Sequence, residues 1–515
     1  MVKISGERLA LSDYYNILFK SQQIEPDDST LERVEKCHTF LKEFSVNKII
    51  YGVNTGLGPM AQYRIEPEDQ IQLQYNLIRS HTSGSGNPLE TLCVKSAMIS
   101  RLKSLSLGYS GVHPDAIKLL ATLINNDIIP YIPEHGGVGA SGDLVQLSHI
   151  ALVLIGEGEV FYEGKRQQTK AVFEKLNIQP LSVYLREGLA LINGTSVMSG
   201  IGIINIIRAE LLINWSVVAS AMINEIVQSF DDHFSKELNS TKMHNGQQII
   251  ADAMRNLLAD SKLIEKRSDH LYNGKIEEKI FKQKIQEYYS LRCVPQVLGP
   301  VLDAVSNAGQ VLVNEINSVN DNPVVDVNTQ TVYHGGNFHG DYVSFEMDKL
   351  KIAVTKLSML AERQINFLMN NKLNEVLQPF VNLGTPGLNL GLQGTQFTAT
   401  STVAENQTLS VPMYIHSIPS NNDNQDIVSM GTNAALMTKK VIENTFEVLA
   451  VEFLAIIQAI DYLQNSEKLA QRTKDTYSRI REIVPVFTED APKYKDLKKI
   501  KDFLLNNNPE IIKNK

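Results

Sequence analysis

The sequence predicts a mainly α-helical subunit in which long helices form a bundle. Apolar residues recur at steps of three and four along residues 354–368 and again along 446–460, which is the spacing of one helix face. The stretch from Ser199 to Val227 is apolar on more than one side, so this helix must be surrounded by other helices or by a second subunit. Strand signals are few and short. Together these observations favour an oligomeric bundle with little sheet.

Two short β-hairpins are predicted within this helical framework. Residues 160–162 precede a turn at Glu163-Gly164, and residues 324–327 can pair with residues 331–333 across a three-residue connection. Neither hairpin builds a large sheet. Glycine and polar residues collect between the helical segments, and loops on a rigid scaffold are where binding and chemistry are usually found. We predict an N-terminal domain, residues 1–200, that carries such loops, and a second domain of long helices, residues 201–515.

Composition restricts the class of protein and of partner. Of the 515 residues, 43% are hydrophobic and 21% are charged, which excludes a disordered, collagen-like or coiled-coil protein. Lysine and arginine total 49 against 57 aspartate and glutamate residues, a net charge of −8. This balance offers no basic surface for nucleic acid or for an anionic membrane. The chain is therefore expected to bind a small molecule.

Cysteine usage and the N-terminus predict the compartment. Cys37, Cys93 and Cys293 are far apart, with no C-x-x-C pair and no histidine cluster at zinc-ligand spacing, so we expect a reducing compartment and no metal site. The N-terminus lacks a sustained apolar run behind a basic start, and later apolar stretches are interrupted by charges such as Glu452. We predict a soluble cytoplasmic protein that does not associate with membranes.

Residues 137–142 fit the pattern G-x-G-x-x-G, which in a strand-to-helix turn binds the pyrophosphate of a dinucleotide. Pro130 and Pro133 interrupt the stretch where the preceding buried strand would lie, and the helical half shows no alternation of strands and helices. Dinucleotide binding is therefore disfavoured. It is kept as a non-enzymatic alternative in which the glycine-rich turn remains unmodified.

The same segment contains three residues, Ala140-Ser141-Gly142, that can condense with one another. Attack of the Gly142 amide nitrogen on the carbonyl carbon of Ala140 loses one water, and departure of the Ser141 hydroxyl loses a second. The product is 4-methylideneimidazole-5-one, an electrophile. Gly142 supplies an unhindered nitrogen and permissive dihedrals, Ser141 a leaving group, and Ala140 a small side chain. From the tripeptide alone, an ordinary turn before a helix capped by Asp143 remains the simpler interpretation.

A longer pattern surrounds this tripeptide. The string GVGASGDLVQLSH is similar to G-x-x-ASGDL-x-P-LSH of the histidine, phenylalanine and tyrosine ammonia-lyase family, with Gln146 where that family commonly has proline. Seven other strings resemble family motifs in chain order: YGVNTGLGPM, LIRSHTSGSG, LALINGTSVM, QEYYSLRCVPQVLGP, NDNP, GGNFH and NQDIVSM. The GSSxMPxKxNP loop of another long helical lyase superfamily is not found in this sequence.

The resemblance implies a fold, a reaction and an assembly. The expected fold is the fumarase/aspartase-like helical bundle of ammonia-lyases, assembled as a homotetramer whose active sites draw loops from three subunits. The expected reaction is elimination of ammonia from a small aromatic amino acid. The electrophile formed from Ala140, Ser141 and Gly142 captures the amine, and no external cofactor is required.

The resemblance also assigns the catalytic residues. Tyr51 is implied to be the base that removes the β-proton, on a loop whose three glycines within eight residues suit a lid that excludes water. Tyr289 is implied to be a second catalytic residue. Tyr289 and Arg292 share one face if their segment is helical, and Gln286 then joins that face. On it, Arg292 can bind the substrate carboxylate through two parallel hydrogen bonds.

Further positions are implied to bind the substrate. Asn193 and Gln286 match residues that hydrogen-bond the substrate carboxylate or the prosthetic-group region, and Phe338 matches a residue that packs over the ring system. Ser80 and His81 match the pair that contacts the substrate side chain. A histidine there can hydrogen-bond a phenol or an imidazole, which disfavours phenylalanine as substrate.

The choice between tyrosine and histidine rests on one more position. Ser80-His81 is typical of histidine ammonia-lyases, but those enzymes carry a glutamate where this chain has Gln425, an amide that phenylalanine and tyrosine lyases show. Several strings look like bacterial tyrosine ammonia-lyases. We therefore predict conversion of L-tyrosine to 4-coumarate, with histidine to urocanate as the first alternative. An aminomutase that returns ammonia to the β-carbon remains open as well.

Overall fold

The computed structural model describes residues 1–272, 279–281 and 284–512, and it confirms the predicted mainly α-helical fold. The apolar series at 354–368 lies in the helix Asp341–Met369, and the series at 446–460 lies in the helix Gly431–Leu463. The stretch predicted from Ser199 to Val227 forms the helix Ser196–Ile226. The three-and-four spacing therefore marks segments inside two longer helices. The all-round apolar stretch matches its helix to within three residues at each end.

The elements of the described residues are as follows. The α-helices are Leu11–Phe19, Asp28–Phe44, Gln70–His81, Thr91–Ser106, Pro114–Asn125, Leu144–Leu154, Thr169–Leu176, Glu187–Ile192, Ser196–Ile226, Lys236–Ser240, Asn245–Leu258, Arg267–Leu271, Tyr289–Arg292, Val294–Ile316, Asp341–Met369, Asn371–Asn374, Gln393–Leu409, Gly431–Leu463, Gln471–Ile483 and Tyr494–Asn506. The strands are Val2–Ile4, Ile24–Pro26, Ser85–Pro88, Ile129–Pro130, Pro133–His135, Glu159–Tyr162, Lys165–Gln168, Val324–Asp326 and Thr331–Tyr333. Short 3₁₀ helices are Gly58–Met60, Asp231–Phe234, Pro379–Val381 and Ser466–Lys468.

Two compact units are built from interleaved parts of the chain. The first unit comprises Met1–Ile207, Ala308–Asp348 and Pro412–Lys439, and the second comprises Arg208–Asn307, Lys349–Val411 and Lys440–Lys515. The predicted domains, 1–200 and 201–515, are each one continuous segment, whereas each compact unit combines three separate segments. That domain assignment stays a prediction.

The first unit contains all the strands of the described residues, and both predicted hairpins are confirmed. Glu159–Tyr162 pairs antiparallel with Lys165–Gln168, and Val324–Asp326 pairs antiparallel with Thr331–Tyr333. At the turn of the first hairpin Gly164 has a φ of 72°, in the left-handed region that glycine adopts freely.

The glycine-rich segment lacks the context of a dinucleotide-binding turn. The two prolines before it lie in very short antiparallel strands, Ile129–Pro130 and Pro133–His135. Within the described parts of the chain, the one parallel strand pair joins Val2–Ile4 to Ile24–Pro26, more than a hundred residues earlier in the chain. A buried parallel strand leading into a helix, as dinucleotide binding requires, is therefore not formed here.

The second unit is organised around buried aromatic contacts. Trp215 is 1% exposed, and its ring packs at right angles to Phe453 with the centroids 5.5 Å apart. Its indole N–H donates to the carbonyl oxygens of Leu504 and Asn507, at 2.9 and 3.0 Å. Because a buried indole needs a hydrogen-bond partner, these contacts hold the C-terminal helix in place.

One described helix, Ser196–Ile226, has the length and apolar composition of a membrane-crossing helix. However, 78% of its most apolar stretch is buried within the protein. Burial of this kind is what a core helix of a folded domain shows, because an all-round apolar helix must be enclosed by neighbours.

Candidate active site

The loop that carries the tripeptide is held against a second loop at Gly194. Gly142 has a φ of 70° and forms a β-bridge with Gly194. A Cβ atom on Gly142 would lie 2.0 Å from the Gly194 carbonyl oxygen. That oxygen also accepts the backbone N–H of Asp143 at 2.7 Å. Only glycine permits both the dihedral angle and this approach, so the tripeptide fits the cyclisation expected from the sequence.

Ala140 lies in a small apolar cluster that holds the other end of the tripeptide. It is 4% exposed and packs with Val428 and Met430, which are also buried. The backbone N–H of Met430 donates to the carbonyl of Val138 at 3.0 Å. A larger side chain at residue 140 would displace these neighbours, since close-packed interiors leave little free volume.

Asp143 anchors the loop in a way that the sequence analysis did not foresee. Its side chain makes no capping bond to the helix that follows it, Leu144–Leu154, although the interpretation as an ordinary turn had it do so. One carboxylate oxygen instead accepts the N–H groups of Val197 and Met198, at 2.8 and 2.9 Å, in the first turn of the Ser196–Ile226 helix. The other accepts the Thr432 hydroxyl at 2.5 Å. The carboxylate therefore caps a different helix and ties the loop to it.

Burial changes the acidity of this carboxyl group. Asp143 is fully buried, which raises its pKa to about 6, while the hydrogen bonds from Thr432, Met198 and Val197 act in the opposite direction. Desolvation disfavours the charged form and outweighs the three donors.

Two amide side chains are aimed at Ser141. The Asn193 Nδ2–H donates to the Ser141 carbonyl oxygen at 2.9 Å, and the Gln425 Nε2–H donates to its hydroxyl oxygen at 3.1 Å. Asn193 is itself oriented by the backbone N–H of Asn322, which donates to its Oδ1 at 2.8 Å. Ser141 is thus held by one donor on its carbonyl and another on its leaving group.

These groups border a cavity of about 820 Å³ within the first unit. The volume lies within the range of small-molecule binding sites. Seven of the residues predicted from the sequence line it: Tyr51, Ser80, His81, Ser141, Asn193, Phe338 and Gln425. Ala140 and Gly142 adjoin Ser141 in the chain. The structure therefore brings together residues that are up to 374 positions apart in the sequence.

The loop after Tyr51 contributes one wall of the cavity. Residues 56–61 and Tyr63 line it, and the Gly58 N–H donates to the Tyr51 hydroxyl oxygen at 2.9 Å. The phenolic oxygen thus accepts one backbone hydrogen bond. Movement of this loop as a lid stays a prediction.

The helix Gln70–His81 supplies the residues expected to contact the substrate side chain. The His81 Nδ1 lies 3.0 Å from the Leu77 carbonyl oxygen, which can only accept, so Nδ1 carries the proton and donates. Burial lowers the pKa of His81, although the Leu77 contact opposes the shift. The imidazole is therefore neutral near pH 7, and its Nε2 is an acceptor.

Three predicted residues lie in the second unit and are not among those lining the cavity. Tyr289 and Arg292 occur in a short helix, Tyr289–Arg292, as the sequence analysis required, and the guanidinium lies 4.9 Å from the centre of the Tyr289 ring. Gln286 lies before this helix. The expectation that all three residues share one helix face is therefore wrong. Tyr289 is 72% exposed. The roles assigned to these three residues stay predictions.

The structure also shows residues at or near the cavity that the sequence reasoning missed. Asn322 and His334 line the cavity, and the Gly335 N–H donates to Asn322 Oδ1 at 2.7 Å. Asn322 belongs to the NDNP string, so that motif was a usable signal for its role. His334 directly precedes the GGNFH string. Arg101, which is buried beside Gly194, carried no sequence signal at all.

The chain is similar in sequence and in fold to known lyases and aminomutases. The sequence profile described as aromatic amino acid lyase matches residues 9–482. The chain is 38% identical over 514 residues to a tyrosine 2,3-aminomutase of Chondromyces crocatus, covering 98% of this chain and 96% of that protein. It is 39% identical over 508 residues to a probable histidine ammonia-lyase of Thermoplasma volcanium, covering 98% and 99%. The crystal structure of a tyrosine aminomutase from Streptomyces globisporus matches with a TM-score of 0.93 at 36% identity, covering 99% and 97%. The chain therefore belongs to the aromatic amino acid lyase family, and it is a carbon–nitrogen lyase.

Proposed function

We propose that the protein eliminates ammonia from L-tyrosine to give 4-coumarate, using an electrophile that Ala140, Ser141 and Gly142 form without outside help. The observation that carries this proposal is the position of Ser141, held by Asn193 and Gln425 at the wall of a cavity that His81 also lines. The reaction needs an electrophile for the amine and a base for the β-proton, and both can be placed in this cavity.

The cyclised tripeptide would supply an electron-poor methylene that captures the substrate amine and so improves a poor leaving group. The chain's own residues prepare it. Asn193 polarises the Ser141 carbonyl through its amide donor, and Gln425 donates to the hydroxyl that must depart as water. Gly142 allows the loop to bend as cyclisation requires.

Tyr51 is the proposed base for the β-proton. Its side chain lines the same cavity as Ser141, and its oxygen is fixed by the Gly58 N–H. A base acts only when it is within hydrogen-bond reach of the proton that it removes. Closure of the loop 56–61 over the substrate would exclude water from the reacting atoms.

The state of His81 favours tyrosine over phenylalanine. Its neutral Nε2 can accept the hydrogen bond of a phenol, whereas an unsubstituted ring packed against this half-buried side chain would leave the acceptor without a partner. Gln425 bears on the choice between tyrosine and histidine. An amide does not provide the negative charge that would pair with an imidazolium, so tyrosine remains the proposed substrate.

Two alternative functions are supported by named relatives. Histidine ammonia-lyases, such as the relative from Bacillus subtilis at 36% identity, support urocanate formation from histidine. The tyrosine 2,3-aminomutase relatives support return of ammonia to the β-carbon of tyrosine. Both alternatives use the same cavity and the same electrophile.

The proposed assembly is a cytoplasmic homotetramer in which Gln286, Tyr289 and Arg292 of one subunit complete the cavity of another. The exposed position of Tyr289 is compatible with this role. Mixing two inactive variants after partial dissociation tests it. If Ser141→Ala and Tyr289→Phe chains contribute to different parts of shared sites, mixed tetramers recover activity that neither parent shows. Mixed tetramers that stay inactive would contradict the shared site.

One experiment separates the candidate reactions. Purified protein is incubated separately with tyrosine, histidine and phenylalanine, and the ultraviolet spectra of 4-coumarate, urocanate and cinnamate are recorded, with β-tyrosine measured by chromatography. We expect 4-coumarate from tyrosine as the dominant product. Urocanate as the main product would replace the proposal by histidine elimination, and accumulation of β-tyrosine would replace it by the aminomutase reaction.

A further inference from the structure

Arg101 is a fully buried cation beside Gly194, the residue that bridges to the tripeptide loop. It lies in the helix Thr91–Ser106 and has no exposed surface. Burial lowers its pKa to about 10, so the guanidinium remains charged at neutral pH. Removing such a group from water is unfavourable unless its hydrogen bonds and neighbouring charges compensate. A buried arginine at this place therefore calls for a specific account of what it binds.

The hydrogen bonds of Arg101 converge on the residues that flank Asn193. Its Nη2 donates to the carbonyl of Ala190, in the last turn of the helix Glu187–Ile192. Its Nη1 donates to Asn320 Oδ1 at 3.2 Å. A cation that binds a carbonyl at a helix C-terminus satisfies a group without a helical partner and complements the helix dipole.

Both contacts fix the position of Asn193. This residue directly follows the helix that Arg101 caps, and its backbone N–H still donates to Leu189 at 2.9 Å. On the other side, Arg101 holds Asn320, two residues before Asn322, whose N–H orients the Asn193 side chain at 2.8 Å. Arg101 therefore fixes the backbone on both sides of the Asn193 amide, through Ala190 and through Asn320, while that amide donates to the Ser141 carbonyl.

Gly194 brings the guanidinium directly against the loop. A Cβ atom on Gly194 would lie 2.4 Å from Arg101 Nη1 and 2.7 Å from Asn320 Oδ1. Gly194 is also the residue whose carbonyl accepts the Asp143 N–H and which bridges Gly142. Arg101 thus contacts the second loop at the point where that loop holds the tripeptide.

We propose that Arg101 is a positioning residue for this lyase, orienting the Asn193 amide on the Ser141 carbonyl and holding Gly194 against Gly142. The inference rests on the proposed cyclisation of the tripeptide. This role needs a planar group that donates to the Ala190 carbonyl and to Asn320 Oδ1 at the same time. Lysine keeps the charge but cannot reproduce both bonds in that fixed arrangement.

The test compares Arg101→Lys and Arg101→Met with a control variant, Lys103→Met. Lys103 is a second buried cation on the same helix, and its Nζ donates to the carbonyls of Ser5 and Glu7 at 2.8 and 2.6 Å. Loss of a buried cation is therefore common to Arg101→Met and the control. Only the Arg101 variants remove contacts that lead to Ser141.

The measurements are intact mass, kcat and KM for tyrosine, and Tm. We expect Arg101→Lys to leave part of the protein uncyclised and to lower kcat by about 10- to 100-fold, since small misplacements in a catalytic site have effects of that size. The tyrosine-to-phenylalanine ratio should stay close to wild type, because the Gln70–His81 helix is untouched, and the loss in kcat should exceed any rise in KM that the displaced Asn193 causes. Arg101→Met should be affected more strongly than Arg101→Lys.

Three results would overturn the inference. One is full cyclisation of Arg101→Lys with wild-type kcat. Another is a loss of cyclisation in Lys103→Met equal to that in the Arg101 variants, which would show a general effect of core damage. The third is a KM increase that alone accounts for the lost activity. Wild-type protein that is not two waters lighter than its sequence would instead contradict the proposed function.

Discussion

The substitution Gly142→Ala tests how closely the two loops must approach. The new Cβ would lie 2.0 Å from the Gly194 carbonyl oxygen, whereas ordinary contacts of this kind begin near 3.4 Å. Alanine at a φ of 70° costs about 1–2 kcal/mol by itself. Separating the loops also breaks the 2.7 Å bond from Asp143 N–H to Gly194, and a buried unpaired donor costs about 1–3 kcal/mol. We expect a total loss of roughly 2–5 kcal/mol in folding free energy.

Cyclisation should fail in the same variant, because movement of the Gly194 loop also withdraws Asn193 from the Ser141 carbonyl. The assay is intact mass combined with chemical unfolding. Gly164→Ala is the matched control: its φ is 72°, but a Cβ there meets no atom within 4 Å. The control should lose only about 1–2 kcal/mol and should cyclise fully. Complete cyclisation of Gly142→Ala at control-like stability would refute the close-approach argument.

Four further predictions follow from individual contacts. Ser141→Ala should abolish turnover with little loss of folding stability, because it removes the hydroxyl that must leave and adds no bulk; activity and unfolding measurements check this. Tyr51→Phe should lower kcat by about 10²- to 10⁴-fold with a much smaller change in KM, in steady-state assays with tyrosine. His81→Phe should shift the ratio of kcat/KM values toward phenylalanine by at least about tenfold, in assays with both substrates. Burial raises the pKa of Asp143 from 3.8 to about 6, so its ionisation opposes folding as pH rises through that range; Asp143→Asn should therefore gain stability relative to wild type between about pH 4 and pH 7, in Tm measurements across pH.

Each of these predictions has an outcome that would contradict it. Full activity in Ser141→Ala would remove the electrophile from the mechanism. An increase in KM that accounts for the whole defect of Tyr51→Phe would show a binding role instead of proton removal. An unchanged substrate ratio in His81→Phe would show that this imidazole does not contact the substrate ring. A Tm difference between Asp143→Asn and wild type that is constant with pH would mean that this carboxyl keeps an ordinary pKa in the folded protein.

Local patterns in the sequence predicted the helices and the hairpins well. The three-and-four apolar spacing locates long helices because burial of one face dominates their stability. The Glu163-Gly164 turn located a hairpin because a glycine in the left-handed region suits a two-residue connection. These features depend on residues that are near one another in the chain.

Features that depend on distant residues were harder to predict. The interpretation of the tripeptide as an ordinary turn had Asp143 capping the helix that follows it. Its carboxylate instead caps the Ser196–Ile226 helix, whose first turn is reached only through the tertiary fold. The spacing of Gln286 likewise did not predict that it lies before the Tyr289–Arg292 helix, because a helix boundary is set by packing as well as by spacing. Arg101 gave no signal because nothing in a sequence distinguishes a buried arginine from a solvated one.

The resemblance to known motifs located the cavity residues that physical patterns alone would have left as turns. Asn193-Gly194 would otherwise be an ordinary loop signal. In the structure, Asn193 donates to the Ser141 carbonyl and Gly194 bridges Gly142, so both residues serve the tripeptide. The motifs carried information about chemistry, and the structure supplied the contacts through which that chemistry can act.

The intact mass of active wild-type protein tests the central claim most directly. If Ala140, Ser141 and Gly142 cyclise as proposed, the purified chain is two water molecules lighter than its sequence, and the difference maps to the peptide that contains Ser141. A chain of full sequence mass that nevertheless converts tyrosine to 4-coumarate would contradict the claim.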